Sequence, residues 1–138
     1  MQYISTRGDA PALGFNDALL AGLARDGGLY VPESWPELSK RDIRRLRGKN
    51  YQEIAFEILL PFVDDDIQPD VFRSMIEEAY ATFRHPAVAP LVQSGPNSFV
   101  MELFHGPTLA FKDIAMQLLA RLTDDILNRR GERVDHRL

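Results

Sequence analysis

The residues of this chain best suited to chemistry lie in one run, Glu102-Leu103-Phe104-His105-Gly106-Pro107-Thr108-Leu109-Ala110-Phe111-Lys112-Asp113. The pattern predicts an apolar strand, a Gly-Pro turn and then a helix carrying Lys112 in its first turn. That is a poor place for a cation. The helix dipole is positive there and the first amides lack intrahelical partners, so an ammonium is destabilised by a few tenths to about 1 kcal/mol. Burial under Phe104 and Phe111 would disfavour the charge further. A neutral amine attacks carbonyl groups and forms Schiff bases. Spacing alone is also met by an ordinary surface lysine on an amphipathic helix, the commoner case.

The elements that must position this run can be read along the chain. Tyr3 to Thr6 is a short strand candidate, able to pair with Leu29-Tyr30-Val31, which Pro32 ends. Between them Phe15 to Arg25 reads as a helix, with Asn16 as N-cap, Phe15 and Leu20 as a staple and Gly27-Gly28 as the stop. Ser39 with Asp42 resembles a capping box for a short helix that Gly48 ends. Its basic cluster, Lys40, Arg41, Arg44, Arg45, Arg47 and Lys49, reads as a solvated face without aromatic interleaving. Asn50 caps a helix over about Tyr51 to Phe62. Pro69 opens another, with Val71, Phe72, Met75, Ile76, Ala79, Tyr80 and Phe83 as an apolar stripe. Asp64-Asp65-Asp66 reads as a turn that helps the next helix start, and no metal site is expected.

Leu91-Val92-Gln93 and Ser98 to Phe104 are strands about a turn at Ser94-Gly95-Pro96-Asn97. The second is apolar on both faces apart from Glu102, as in a sheet covered on both sides. Thr108 is the candidate N-cap of the Lys112 helix. That helix runs to about Arg130 with Phe111, Ala115, Leu118, Leu122 and Ile126 inward, and Gly131 as C-cap. The expected fold class is α+β (or α/β): a mostly helical amino-terminal domain over residues 1–84, then the start of a second domain over residues 85–138.

The 138 residues suffice for a compact core, and 45% hydrophobic with 26% charged residues is ordinary globular composition. A net charge of −4 gives no basic footprint for nucleic acid. There are no cysteines, so disulfides and thiolate metal sites are excluded. No signal-peptide core opens the chain and no apolar run approaches the roughly 20 residues that span a bilayer. A cytoplasmic protein is expected, with no membrane partner.

The run ELFHGPTLAFKD resembles the pyridoxal-phosphate lysine segment of the threonine synthase family, whose lysine falls on Lys112. Further motifs are similar to the amino-terminal part of the microbial enzymes: Tyr3-Ile4-Ser5-Thr6-Arg7-Gly8, Phe15-Asn16-Asp17-Ala18, Gly22 to Pro32 and Tyr51-Gln52-Glu53-Ile54-Ala55. The likeness extends from the start of the chain to about Arg130. It implies a fold-type-II pyridoxal-phosphate enzyme that converts O-phospho-L-homoserine and water to L-threonine and phosphate. Lys112 would hold the cofactor and move protons at Cα and Cβ. A related phospho-lyase or dehydratase, or a non-catalytic interaction module, are the alternatives.

Beside Lys112, the resemblance places Phe111 near the cofactor ring, with core packing as the other reading. His105 can donate to a phosphate or cap backbone groups, and the cap is preferred. Thr108 is a helix cap first and a ligand contact second. Asp113 is explained by the dipole and could also orient Lys112. Family members are several times longer and continue into a strand and a Gly/Ser/Thr-rich loop that cradles the cofactor phosphate. Residues Glu132 to Leu138 do not look like that strand, and no such loop occurs here. Two expectations follow: the chain alone is a poor enzyme, and its strand and lysine helix expose apolar surface that favours self-association.

Overall fold

The computed structural model describes residues 1–131; the reading of the tail beyond Gly131 lies outside the described residues. Short helices alternate with two small sheets, the mixed α+β class expected. The chain divides into two compact units, Met1–Gly48 with Phe56–Phe72, and Lys49–Ala55 with Arg73 onward.

In the first unit, β1 (Tyr3–Ser5) pairs antiparallel with β2 (Tyr30–Pro32), Ile4 opposite Val31, as the sequence suggested. The intervening helix α1 is shorter than expected, Phe15–Ala21, because Gly22 turns the chain at φ 66° and Leu23 bridges to Leu29 instead. Its N-cap is Gly14, not Asn16, and no side chain of the cap bonds the helix. The N-terminus is served from a distance. The Asp66 carboxylate accepts from the Asn16 amide at 3.3 Å, and the Asn16 side chain donates to the Asp66 carbonyl. With Gly14 as N-cap, Phe15 is the first helical residue, so Phe15 and Leu20 are not placed as a staple. The three aspartates make a 3-10 turn, Asp64–Asp66, in which Asp66 serves the amino terminus of α1, rather than the next helix as expected, and Asp64 the Met1 amino group.

Loop order in this unit centres on Asp26. Its carboxylate accepts from the amides of Gly28 at 2.9 Å and Asp9 at 3.0 Å, and from the Ser5 hydroxyl at 2.8 Å. These bonds, the Gly28 amide first, hold its carboxyl below the ordinary aspartate value. Gly28 is obligatory: a Cβ there would overlap Ser5 Oγ. The Tyr3 hydroxyl donates to the Phe62 carbonyl at 2.7 Å, and burial, aided by Asp66 and Asp64, pushes the phenol up to about 12. Ile67, Phe72 and Val63 are the most deeply buried side chains here.

The capping box at Ser39 and Asp42 is present and opens α2 (Lys40–Arg45), which stops three residues before Gly48. Asn50 and Glu53 cap each other's amides at the start of α3 (Tyr51–Val63). Pro69 opens α4 (Pro69–Ala81).

In the second unit, β3 (Leu91–Gly95) and β4 (Ser98–Met101) form an antiparallel hairpin with an irregularity between Gln93 and Gly95. β4 ends three residues earlier than Phe104. The enclosed sheet expected from its apolar faces is not seen: Leu91, Phe99, Val100 and Met101 are all more than half exposed. The last helix, α5 (Asp113–Arg130), ends on Gly131 in the left-handed conformation, as expected. Leu118, Leu122 and Ile126 form its inner face with Ile76, Ala79 and Tyr80 in the buried core of this unit, whereas Phe111 and Ala115 are exposed.

Candidate active site

The site is made where the segment after β4 turns into α5. Its entry is tied by backbone bonds, Glu102 N–H to the Pro90 carbonyl at 3.0 Å and Arg84 N–H to the His105 carbonyl at 2.9 Å. The His105 ring does not cap a backbone group. Its Nε2 lies 2.7 Å from Glu102 Oε2, with the Phe104 ring 4.6 Å and the His85 ring 5.1 Å away. A carboxylate three residues back is a stronger partner than a neutral carbonyl or amide.

The turn itself departs from a plain helix start. Leu109 sits at φ 64°, a left-handed conformation that leucine rarely adopts. This interrupts helical geometry after Thr108, so Thr108 is not the N-cap and the helix begins at Asp113. The Thr108 hydroxyl donates to Asp113 Oδ1 at 2.8 Å. Lys112 is the N-cap residue, in αR conformation and without a side-chain cap bond, one position before the helix. Its carbonyl accepts from Ala115 and Met116, the first helical bonds. At the other side of the turn into α5, the Tyr80 hydroxyl donates to the Ile114 carbonyl at 3.1 Å. Tyr80 packs edge-on to Tyr51, centroids 4.8 Å apart. Burial pushes both phenols above their ordinary value.

Lys112 opens on a cleft of about 770 Å³ with Phe111, Tyr51, Met101, Leu103 and Met116 among its walls. The burial expected under Phe104 and Phe111 is not present: Phe111 is 65% and Phe104 52% exposed, and Lys112 is exposed. The structure therefore brings Lys112 and Phe111 to one apolar cleft, while His105 and Thr108 are held by Glu102 and Asp113 and do not line it. Met101 closes β4 and Leu103 follows it outside the strand, so the predicted strand to Phe104 did not single them out. Tyr51 had no local signal, being about sixty residues from Lys112 in sequence.

A planar aldehyde cofactor with a phosphate needs an amine, an apolar wall and an anion cradle. The cleft offers the first two. Among the described residues Lys112 is the only cationic side chain lining it, and no glycine-rich run of amides does so. The residues present thus fit the aldehyde and ring end of such a group. Among the described residues there is no cluster of three or more metal-ligating side chains, and no helix is long and apolar enough to cross a membrane.

Comparison with known proteins gives consistent results. Residues 2–80 match the family model described as threonine synthase N terminus. The chain is 58% identical over 134 residues to threonine synthase of Pseudomonas aeruginosa, covering 97% of this chain and 29% of that protein. It is similar to the crystal structure of PLP-bound threonine synthase from Brucella melitensis, with TM-score 0.94 and 62% identity over 96% of this chain and 29% of that one. The crystal structure of threonine synthase from yeast matches with TM-score 0.86 and 34% identity, covering 99% of this chain and 28% of that one. The chain thus spans a little under a third of the length of these relatives.

Proposed function

We infer the function from one premise: this chain belongs to the threonine synthase family, whose amino-terminal model covers more than half of it. The activity proposed is that of the whole enzyme, conversion of O-phospho-L-homoserine and water to L-threonine and phosphate, to which this chain contributes the amine. The observation that carries the reading is Lys112 at the opening of α5, beside Phe111, on an apolar cleft. Pyridoxal 5′-phosphate, when bound, supplies an electron sink for carbanion charge at substrate Cα. Lys112 would hold it and, through Nζ, move protons at Cα and Cβ. Phe111 and Leu103 would cover the ring and keep water from it. His105, paired with Glu102, and Thr108, paired with Asp113, would order the turn beneath the cofactor.

We assign residues 1–84 to the family's amino-terminal domain and residues 85–138 to the start of a fold-type-II catalytic domain. A cytoplasmic location suits a cysteine-free biosynthetic enzyme.

The test is a chimera in which this chain replaces the aligned amino-terminal residues of the Pseudomonas aeruginosa enzyme. Phosphate release and threonine formation from O-phospho-L-homoserine are expected in the chimera, a loss of at least about a thousandfold in Lys112→Ala, and none from the 138-residue chain alone. A folded chimera that acts only as a dehydratase on other amino acids, or that keeps its rate without Lys112, would refute the assignment.

A further inference from the structure

We propose that Asp113 is a positioning residue for Lys112, acting through a two-armed clamp on Thr108; this rests on reading Lys112 as the cofactor-holding amine. Asp113 is only 3% exposed, the one charged residue among those described that is buried. An acid in the first turn of a helix needs no burial to benefit from the dipole, and it usually serves its own helix's unpartnered amides. Asp113 instead turns both oxygens to a residue outside the helix. Oδ2 accepts from the Thr108 amide at 2.8 Å and Oδ1 from the Thr108 hydroxyl at 2.8 Å.

The rest of the turn is shaped around that clamp. Gly106 is buried directly against the Asp113 side chain, where any Cβ would overlap it. Leu109, inside the loop that the clamp closes, holds a left-handed conformation costing about 1 kcal/mol or more, which persists only if the surroundings impose it. Lys112 is the last residue within the closed loop. Its backbone is therefore fixed on one side by Asp113 and on the other by the Ala115 and Met116 amides bonded to its carbonyl. The clamp sets where the amine leaves the backbone.

The chain carries its own controls, since Lys40 and Lys49 are its only other lysines. Pyridoxal 5′-phosphate is the probe, with borohydride reduction and mass mapping of each lysine as a function of pH. Amide hydrogen exchange at Ala115 and Met116 is measured in parallel. Thr108→Val should lower the reaction of Lys112 relative to Lys40 and Lys49, and speed exchange at Ala115 and Met116 about tenfold, the scale of one lost hydrogen bond. Exchange deeper in α5, at Leu122, should stay unchanged. Thr108→Ser should restore both readouts. Asp113→Ala should exceed Thr108→Val; if it does not fold, the threonine pair decides. Unchanged exchange at Ala115 and Met116 in Thr108→Val, or a serine variant as impaired as valine, overturns the clamp. A chimera that keeps its activity in Lys112→Ala would instead defeat the cofactor reading, leaving the exchange data to judge the clamp.

Discussion

At the scale of single residues, Asp26 should contribute to the acid response of the fold, as should Asp42, whose bonds from Ser39 also hold its carboxyl below the ordinary value. The hydrogen bonds to Asp26 stabilise its ionised form, so its folded value lies below the unfolded value of about 3.9. The folded state then binds fewer protons than the unfolded one as the carboxyl titrates. The contribution is present above about pH 4 and is lost as pH falls through the folded value. Asp26→Asn should lower the midpoint of thermal unfolding at pH 7 and flatten its decline between pH 5 and 2, read by circular dichroism. A parallel decline in both proteins would refute the assignment. The legibility of the candidate site is also a residue-scale matter. Lys112 at a helix opening, with Phe111 beside it, follows from local pattern and is what the structure has. The exposure of Lys112 could not be read, because burial depends on what packs over a residue from elsewhere. The partner of Thr108 was hidden for a related reason: a left-handed Leu109 has no sequence signature, and it moves the N-cap from Thr108 to Lys112.

At the scale of elements, the helices whose caps are local were the readable ones. Ser39 with Asp42, and Asn50 with Glu53, bond within three residues, so the sequence window contains the whole interaction. The start of α1 is different, since its acceptor is Asp66. Asp66→Ala should therefore cost about 1 kcal/mol in urea unfolding, the ordinary worth of an N-cap, although the residue lies outside α1. Asn16→Ala removes a different bond, from its side chain to the Asp66 carbonyl, so a double variant should cost about the sum of the two single changes. A double variant costing clearly less than that sum would show that the two bonds depend on each other. β4 was misjudged as an enclosed strand for an equally physical reason: apolar residues on both faces state what a strand prefers, not whether neighbours are present to cover it.

At the scale of the molecule, the second unit presents Leu91, Phe99, Val100, Met101, Phe104 and Phe111 to solvent. Six large apolar side chains beside unpaired strand edges are an adhesive surface. The 138-residue chain should sediment with a weight-average mass that rises with concentration, and Phe99→Lys with Val100→Lys should restore a constant monomer mass. A monomer at all concentrations in the unmodified chain would contradict this. The first unit carries a consequence of another kind. Tyr3 bonds the carbonyl of Phe62, and Asn16 is bonded by Asp66. During synthesis Tyr3 and Asn16 leave the ribosome 59 and 50 residues before these partners. Helix α1 therefore cannot settle before Asp66 is available, and nascent chains arrested short of Asp66 should be cut by protease within α1, whereas chains long enough to expose Asp66 should resist.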